Sequence, residues 1–148
     1  MTRLGIGDDT TVIAYDDTGG MTAARLVVML RMLGLDAALL DGGLAAWTGE
    51  LTTGAGAARE PRHFTARSWP VERLASVDEI ALAAARGSAS PGMVLTDARP
   101  SGRYNGEITA VDPRPGHIPG AVNAPWSAVV DPATTKLLPI PELRAHFA

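Results

Sequence analysis

Two groups of residues have types and spacing that could do chemistry. The first is Asp16-Asp-Thr-Gly-Gly20, set between the apolar run Thr11-Val-Ile-Ala-Tyr15 and a stretch with Leu26, Leu30 and Leu33 on one helical face. That order reads as strand, tight loop, helix. In an open α/β sheet the loop at the carboxyl end of a strand is where ligands bind, and the following helix aims free N–H groups and a positive dipole end at it. An anion is stabilised in such a place, and Asp16 is itself an anion. A plainer reading has Asp17 or Thr18 cap the helix while Gly19 and Gly20 supply the turn. The second group is Arg99, Arg103 and His117. Arg99, in Asp97-Ala-Arg99, reads as a domain-internal salt-bridging residue and Arg103 by itself as a surface arginine. His117 reads as a structural turn residue, since no base partner or metal-ligand cluster accompanies it.

Several elements must position these groups. A strand over 12–15 precedes the Asp16 loop, and a helix over 22–33 ends at Gly34, a C′ glycine. Asp36-Ala-Ala-Leu-Leu40 is a second strand, entering Asp41-Gly-Gly43 and a helix start at Leu44-Ala-Ala-Trp47, whose Trp is expected to anchor a core or its rim. The first 50 residues thus predict a parallel crossover unit. From Thr48 to Arg62 the chain is rich in Gly, Ala and Thr without periodicity, as in a linker. Gly54-Ala-Gly-Ala-Ala-Arg59 follows a helix rather than a strand, so it is not read as a dinucleotide-binding turn. Beyond it come an edge strand at 63–66, a helix opened by a Ser76/Glu79 capping box and running through Ala85, a buried-type strand over Gly92–Asp97 and its loop to Tyr104. The turn-rich path Asp112–Asn123 ends in a short strand at Ala121–Asn123, and Pro141 starts a last helix.

Composition bounds the function. The chain has 148 residues, 46% hydrophobic and 20% charged, which is a globular balance. A net charge of −3 with scattered Lys and Arg gives no reason to expect nucleic acid or an anionic membrane as partner. No apolar run reaches a membrane span and the N-terminus lacks signal-peptide blocks, so a cytoplasmic place is expected, with no cofactor and no metal. There are no cysteines, which excludes disulfides, thiolate zinc sites and a cysteine nucleophile.

Both halves resemble the two-domain rhodanese family of thiosulfate and mercaptopyruvate sulfurtransferases. Tyr15-Asp-Asp-Thr-Gly-Gly20, Met29-Leu-Arg-Met-Leu-Gly34 and Leu40-Asp-Gly-Gly-Leu-Ala-Ala-Trp47 look like the second half of the family's inactive N-terminal domain. Asp97-Ala-Arg99, Gly102-Arg-Tyr104 and Gly116-His-Ile-Pro-Gly-Ala-Val-Asn123 look like the first half of its catalytic C-terminal domain. The division expected is 1–50, a 51–62 linker, and 63–148. The resemblance implies a three-layer α/β/α fold with a mainly parallel sheet. It puts Asp16 where the active domain has its cysteine, with Asp17, Thr18, Gly19 and Gly20 completing an active-loop-like turn. It makes Arg103, with Arg99, the residue that meets an anionic sulfur substrate, and it places the family's cysteine beyond Ala148.

The expected activity of the family is sulfane sulfur transfer to an acceptor such as cyanide. This chain is expected to be a truncated, inactive piece of such an enzyme; the alternative is a non-catalytic module that binds an anion or a protein partner. The two halves occur in permuted order, so closure into one sheet, or a domain-swapped dimer or complementing fragment, is expected; otherwise two sheet edges stay open. On closure Asp16 and Asp17 would pair with Arg103 or Arg99. An Asp16→Cys thiolate is expected to lack a tight N–H cradle, because the loop is one residue longer than the family's.

Overall fold

The computed structural model describes residues 1–86 and 92–148. β1, Val12–Ala14, and β2, Ala37–Leu39, lie parallel with Val12 opposite Ala37 and Ala14 opposite Leu39. A parallel pair needs a crossover, and α1, Ala23–Met32, supplies it. Its end is built as the sequence predicts. Gly34 takes φ 77°, its N–H reaches the Arg31 carbonyl at 2.9 Å, and the Leu35 N–H reaches that of Leu30 at 3.0 Å. This double bond pattern closes the orphan carbonyls of the last turn, and the apolar residues flanking it, Leu30 and Leu35, both join the core. That core is Ala14, Ala23, Val27, Leu30, Leu35 and Ala37, with Val12, Leu33, Leu39 and Phe64 packed around it.

The chain divides into two compact units, Met1–Pro70 with Asp131–Leu137, and Val71–Val130 with Leu138–Ala148. In the second unit, α2, Val77–Ala85, starts at the complete capping box: the Ser76 hydroxyl accepts from the Glu79 N–H, and the Glu79 carboxylate accepts from the Ser76 N–H at 2.6 Å. β3, Thr96–Asp97, runs parallel to β4, Val122–Asn123. The one-turn α3, Ser101–Tyr104, and α4, Ile140–Phe147, with Pro141 in its first turn, complete it. The fold is α/β with parallel sheets, as expected.

Several expectations are corrected. The described strands form two two-stranded sheets, β1-β2 in the first unit and β3-β4 in the second. The 92–97 strand shrinks to two residues, with Val94 71% exposed, because no second neighbour pairs with its early part. Residues 63–66 form no strand; Asp8 pins them, donating its N–H to the His63 carbonyl at 3.2 Å and accepting from the Thr65 N–H at 3.0 Å and the Thr65 hydroxyl at 2.6 Å. After Asp41-Gly-Gly43 comes only a 3₁₀ turn, Gly43–Ala46, and Trp47 is 53% exposed instead of anchoring a core. Its indole N–H bonds the Glu50 carbonyl at 3.2 Å.

Candidate anion cradle and arginine cluster

The loop between β1 and α1 wraps around one carboxylate. Asp16 Oδ1 accepts from the N–H groups of Thr18 at 3.0 Å and Gly20 at 2.8 Å, and Oδ2 accepts from Thr22 and Ala23, both at 2.9 Å. Four donors converge because Gly19 (φ 67°) and Gly20 (φ 88°) turn the chain back through a conformation that side-chain-bearing residues avoid. Two of the donors, Thr22 and Ala23, belong to the first turn of α1, which otherwise has no side-chain cap. The cap is therefore Asp16, six residues upstream, and neither Asp17 nor Thr18. Partial burial works against the charge, but the four N–H bonds outweigh it and hold the carboxyl well below the usual carboxylate range.

The backbone of Asp16 is held as firmly as its side chain. Its carbonyl accepts from the Leu44 N–H at 3.1 Å, and a Cβ on Gly43 would stand 2.2 Å from that oxygen. Only glycine lets the Asp41-Gly42-Gly43 turn approach so closely. A strap formed by residues 131–137 braces the same turn. Thr135 Oγ1 donates to the Gly42 carbonyl at 3.0 Å, and the Leu137 N–H donates to Asp41 Oδ1 at 2.8 Å. Thr135 is held at φ 56°, a strained position for a β-branched residue. A shallow groove of about 320 Å³ runs beside β1 to the cradle, lined by Val12, Ile13, Tyr15, Asp16, Ala23 and Leu26.

In the second unit the two arginines are engaged with each other's neighbours. Arg99 grips Asp97 with Nε at 3.0 Å from both carboxylate oxygens, donates from Nη2 to the Gly116 carbonyl at 2.7 Å, and stands 3.5 Å from Asp112 through Nη1. Arg103 takes Asp112 in a two-point fork, Nε–Oδ2 2.8 Å and Nη2–Oδ1 2.6 Å. Hydrogen bonding to the guanidiniums lowers the pKa of both Asp97 and Asp112. Within this unit each arginine is engaged by acidic partners close in sequence, Arg99 by Asp97 and Arg103 by Asp112. His117 stacks on Tyr104 with ring centroids 3.7 Å apart and bonds the Tyr104 carbonyl through Nδ1 at 2.9 Å, the turn role its setting suggests.

A model of the rhodanese-like domain matches residues 2–50. Over 136 residues the chain is 35% identical to 3-mercaptopyruvate sulfurtransferase of Escherichia coli K12, covering 88% of this chain and 46% of that protein. It is 34% identical over 143 residues to thiosulfate sulfurtransferase of Corynebacterium glutamicum, covering 89% and 46%. The crystal structure of SseA from Escherichia coli, a rhodanese-fold 3-mercaptopyruvate sulfotransferase, superposes with a TM-score of 0.78 at 32% identity, over 98% of this chain and 53% of that one. Residues 2–50 match the rhodanese-like domain, and nearly the whole chain is homologous to rhodanese-fold sulfurtransferases. It spans about half the length of the curated relatives it matches.

Within this chain the two clusters differ in what they can do. The Asp16 loop is a preformed anion holder whose occupant is built in. The Arg99/Arg103 cluster is a cation pair already neutralised by Asp97 and Asp112. Sequence reading found the loop and both arginines but missed Asp112, nine residues from Arg103 in a turn-rich path where an acidic residue reads as turn chemistry. It also missed the strap, whose partners lie more than 90 residues away; only the double glycine of Asp41-Gly-Gly43 hinted that something must come close. No cluster of metal-ligating residues occurs among the described residues, and no described helix is long and apolar enough to cross a membrane.

Proposed function

We propose that this chain is the scaffold of a cytoplasmic sulfane-sulfur transferase with Asp16 in the place of the persulfide-forming cysteine, and that by itself it is catalytically silent. The observation that carries the reading is the set of four N–H donors on Asp16. A thiolate at this position would be stabilised as the carboxylate is. It would attack the outer sulfur of thiosulfate, breaking the S–S bond so that sulfite leaves with the electron pair; the persulfide would then hand its sulfur to a thiophile such as cyanide, giving thiocyanate and the thiolate again. A carboxylate is a poor nucleophile toward sulfur, and its charge repels thiosulfate from the donors it occupies. Arg103, with Arg99, is the anion-binding pair of the same reading, and Asp112 must yield before it can receive a substrate. The cysteine-free composition and filled cradle also suit a second reading, a non-catalytic module that binds an anion or a protein partner.

The deciding experiment is a thiosulfate and cyanide assay on the full chain and on Asp16→Cys. The unmodified chain should make no thiocyanate above background, and turnover by it would overturn the reading. Asp16→Cys places the sole thiol in the chain, so its state is read without interference. Its alkylation rate should titrate clearly below the unperturbed thiol value of about 8.5, and thiosulfate should add the mass of one sulfur atom. A folded Asp16→Cys protein with an ordinary thiol and no persulfide would favour the binding-module reading.

A further inference from the structure

The turn that holds the Asp16 carbonyl is itself held by the 131–137 strap, and both belong to the first unit. The strap is bonded to keep one shape. Asp131 Oδ1 accepts from the N–H groups of Ala133 and Thr134, both at 2.8 Å. The Asp131 N–H donates to the Lys136 carbonyl and its carbonyl accepts from the Thr135 N–H, again at 2.8 Å. Bonded in this way to Asp131, the backbone at Thr135 has little choice of path.

Thr135 takes the strain of that path. Among the described residues it alone, glycines apart, has a positive φ, 56°, and it is β-branched, the type for which that region is least favourable. Such strain persists only where the surroundings over-determine a residue, and it gathers at functional sites. What the conformation gains here is the placement of a hydroxyl. Thr135 Oγ1 sits between two carbonyls, that of Thr134 at 2.7 Å within the strap and that of Gly42 at 3.0 Å in the turn, and so bridges them. A second anchor stands beside it, the Leu137 N–H on Asp41 Oδ1 at 2.8 Å. The Lys136 stem closes over Gly42, where an added Cβ would stand 3.0 Å from Lys136 Cγ.

We propose that Thr135 is a positioning residue for the Asp16 cradle, acting through the Asp41-Gly42-Gly43 turn. The relay is short. Thr135 fixes the Gly42 carbonyl; Gly43 lies against the Asp16 carbonyl with no room for a Cβ, and the Leu44 N–H bonds that same carbonyl at 3.1 Å. The Asp16 backbone in turn sets where its carboxylate meets four donors at 2.8 to 3.0 Å. N–H···O bonds weaken beyond about 3.2 Å, so a small shift of the turn reaches the carboxylate. The inference concerns the geometry of the cradle and not the sulfur chemistry, so amide exchange in a chain that keeps Asp16 judges it whatever the Asp16→Cys assay returns.

The test is amide hydrogen exchange on the full chain and on Thr135→Gly, which removes the hydroxyl and relieves the left-handed strain together. The amides of Gly20, Ala23 and Leu44, all bonded to Asp16, should exchange at least about fivefold faster, the loss of roughly one hydrogen bond. The Val12 and Leu35 amides, bonded to the Asp36 and Leu30 carbonyls away from the cradle, should keep their rates, and Thr135→Ser should restore those of the cradle. Acceleration confined to the Leu137 amide overturns the proposal, since the strap would then brace only itself. Equal acceleration at Val12 and Leu35 also overturns it, because the loss would be one of general stability. So does a Thr135→Ser chain whose cradle amides stay as fast as in Thr135→Gly. Should Thr135→Gly not fold, Asp41→Ala, which removes the acceptor of the Leu137 N–H, must give the same acceleration at Gly20, Ala23 and Leu44; unchanged rates there overturn the proposal.

Discussion

Asp16 does at one residue what a helix cap, a loop staple and a bound anion would do separately. Its charge is stabilising only while it is ionised. A carboxyl whose folded pKa lies below its ordinary value of 3.8 contributes stability that is complete above that value and is lost as the pH falls through the depressed one. The first unit should therefore lose stability progressively below about pH 4, and Asp16→Asn should flatten that slope in acid-dependent urea unfolding. The same variant should cost about 1–3 kcal/mol at neutral pH, because an amide NH₂ would face the N–H groups of Thr22 and Ala23 or of Thr18 and Gly20. A pH slope unchanged by Asp16→Asn would show that the cradle is not what titrates. The sequence-based expectation is of a loop without a tight cradle; around the Asp16 carboxylate four N–H groups converge, with Gly19 and Gly20 both left-handed. At the other cluster, Asp112→Asn removes the charge that occupies Arg103. It should create a saturable sulfate or thiosulfate site of millimolar strength by calorimetry where the unmodified chain shows none; no binding by the variant would remove Arg103 as an anion-binding residue.

At the scale of elements, the helices owe their positions to their ends. The capping box of α2 is complete, and Ser76→Ala removes the hydroxyl that accepts from the Glu79 N–H while leaving the backbone donor to the Glu79 carboxylate. The expected cost is about 1 kcal/mol, read as roughly fivefold faster exchange of the Glu79 and Ile80 amides, the latter bonded to the Ser76 carbonyl at 3.2 Å. Unchanged exchange at both would mean the box is not closed in solution. Its Ser76/Glu79 spacing made it legible in sequence, because a cap is a contact between residues three apart. The same holds for the Gly34 ending of α1. The cap of α1 was not legible in detail: several acceptors stand before the helix, and the choice among Asp16, Asp17 and Thr18 depends on how far Gly19 and Gly20 turn the chain. Strand lengths failed for another reason. A strand is as long as its neighbour allows, and the apolar run over 92–97 has only two residues of β4 beside it.

For the whole molecule, the described core is small and concentrated in the first unit. Leu30, 1% exposed, sits at its centre between α1 and the β1–β2 pair. Leu30→Ala should cost on the order of 3 kcal/mol, a large fraction of the stability of a unit this size, and should abolish exchange protection of the Val12 and Leu40 amides. Retained protection there would show that stability comes from elsewhere. Among its described apolar residues the second unit buries only Ala121, and its order rests on the capping box, the Arg99–Asp97 and Arg103–Asp112 pairs, and Asn123, whose Nδ2 donates to the carbonyls of Asp97 and Arg99 at 3.0 and 2.9 Å.

By itself the sequence determined the loop that carries the anion, the two arginines, the order of strands and helices, and the absence of any thiol, because each is written in residue types and in contacts a few positions apart. The tertiary structure alone decided which partner each charge takes. Asp16 is answered by four backbone donors, Arg103 by Asp112, and the Asp41-Gly42-Gly43 turn by a strap from 131–137. Local periodicity and capping chemistry cannot specify such meetings, since they depend on backbones approaching to distances that only glycine permits and on segments brought together across most of the chain. It also decided how long each strand is, because a strand extends only as far as its neighbour pairs with it.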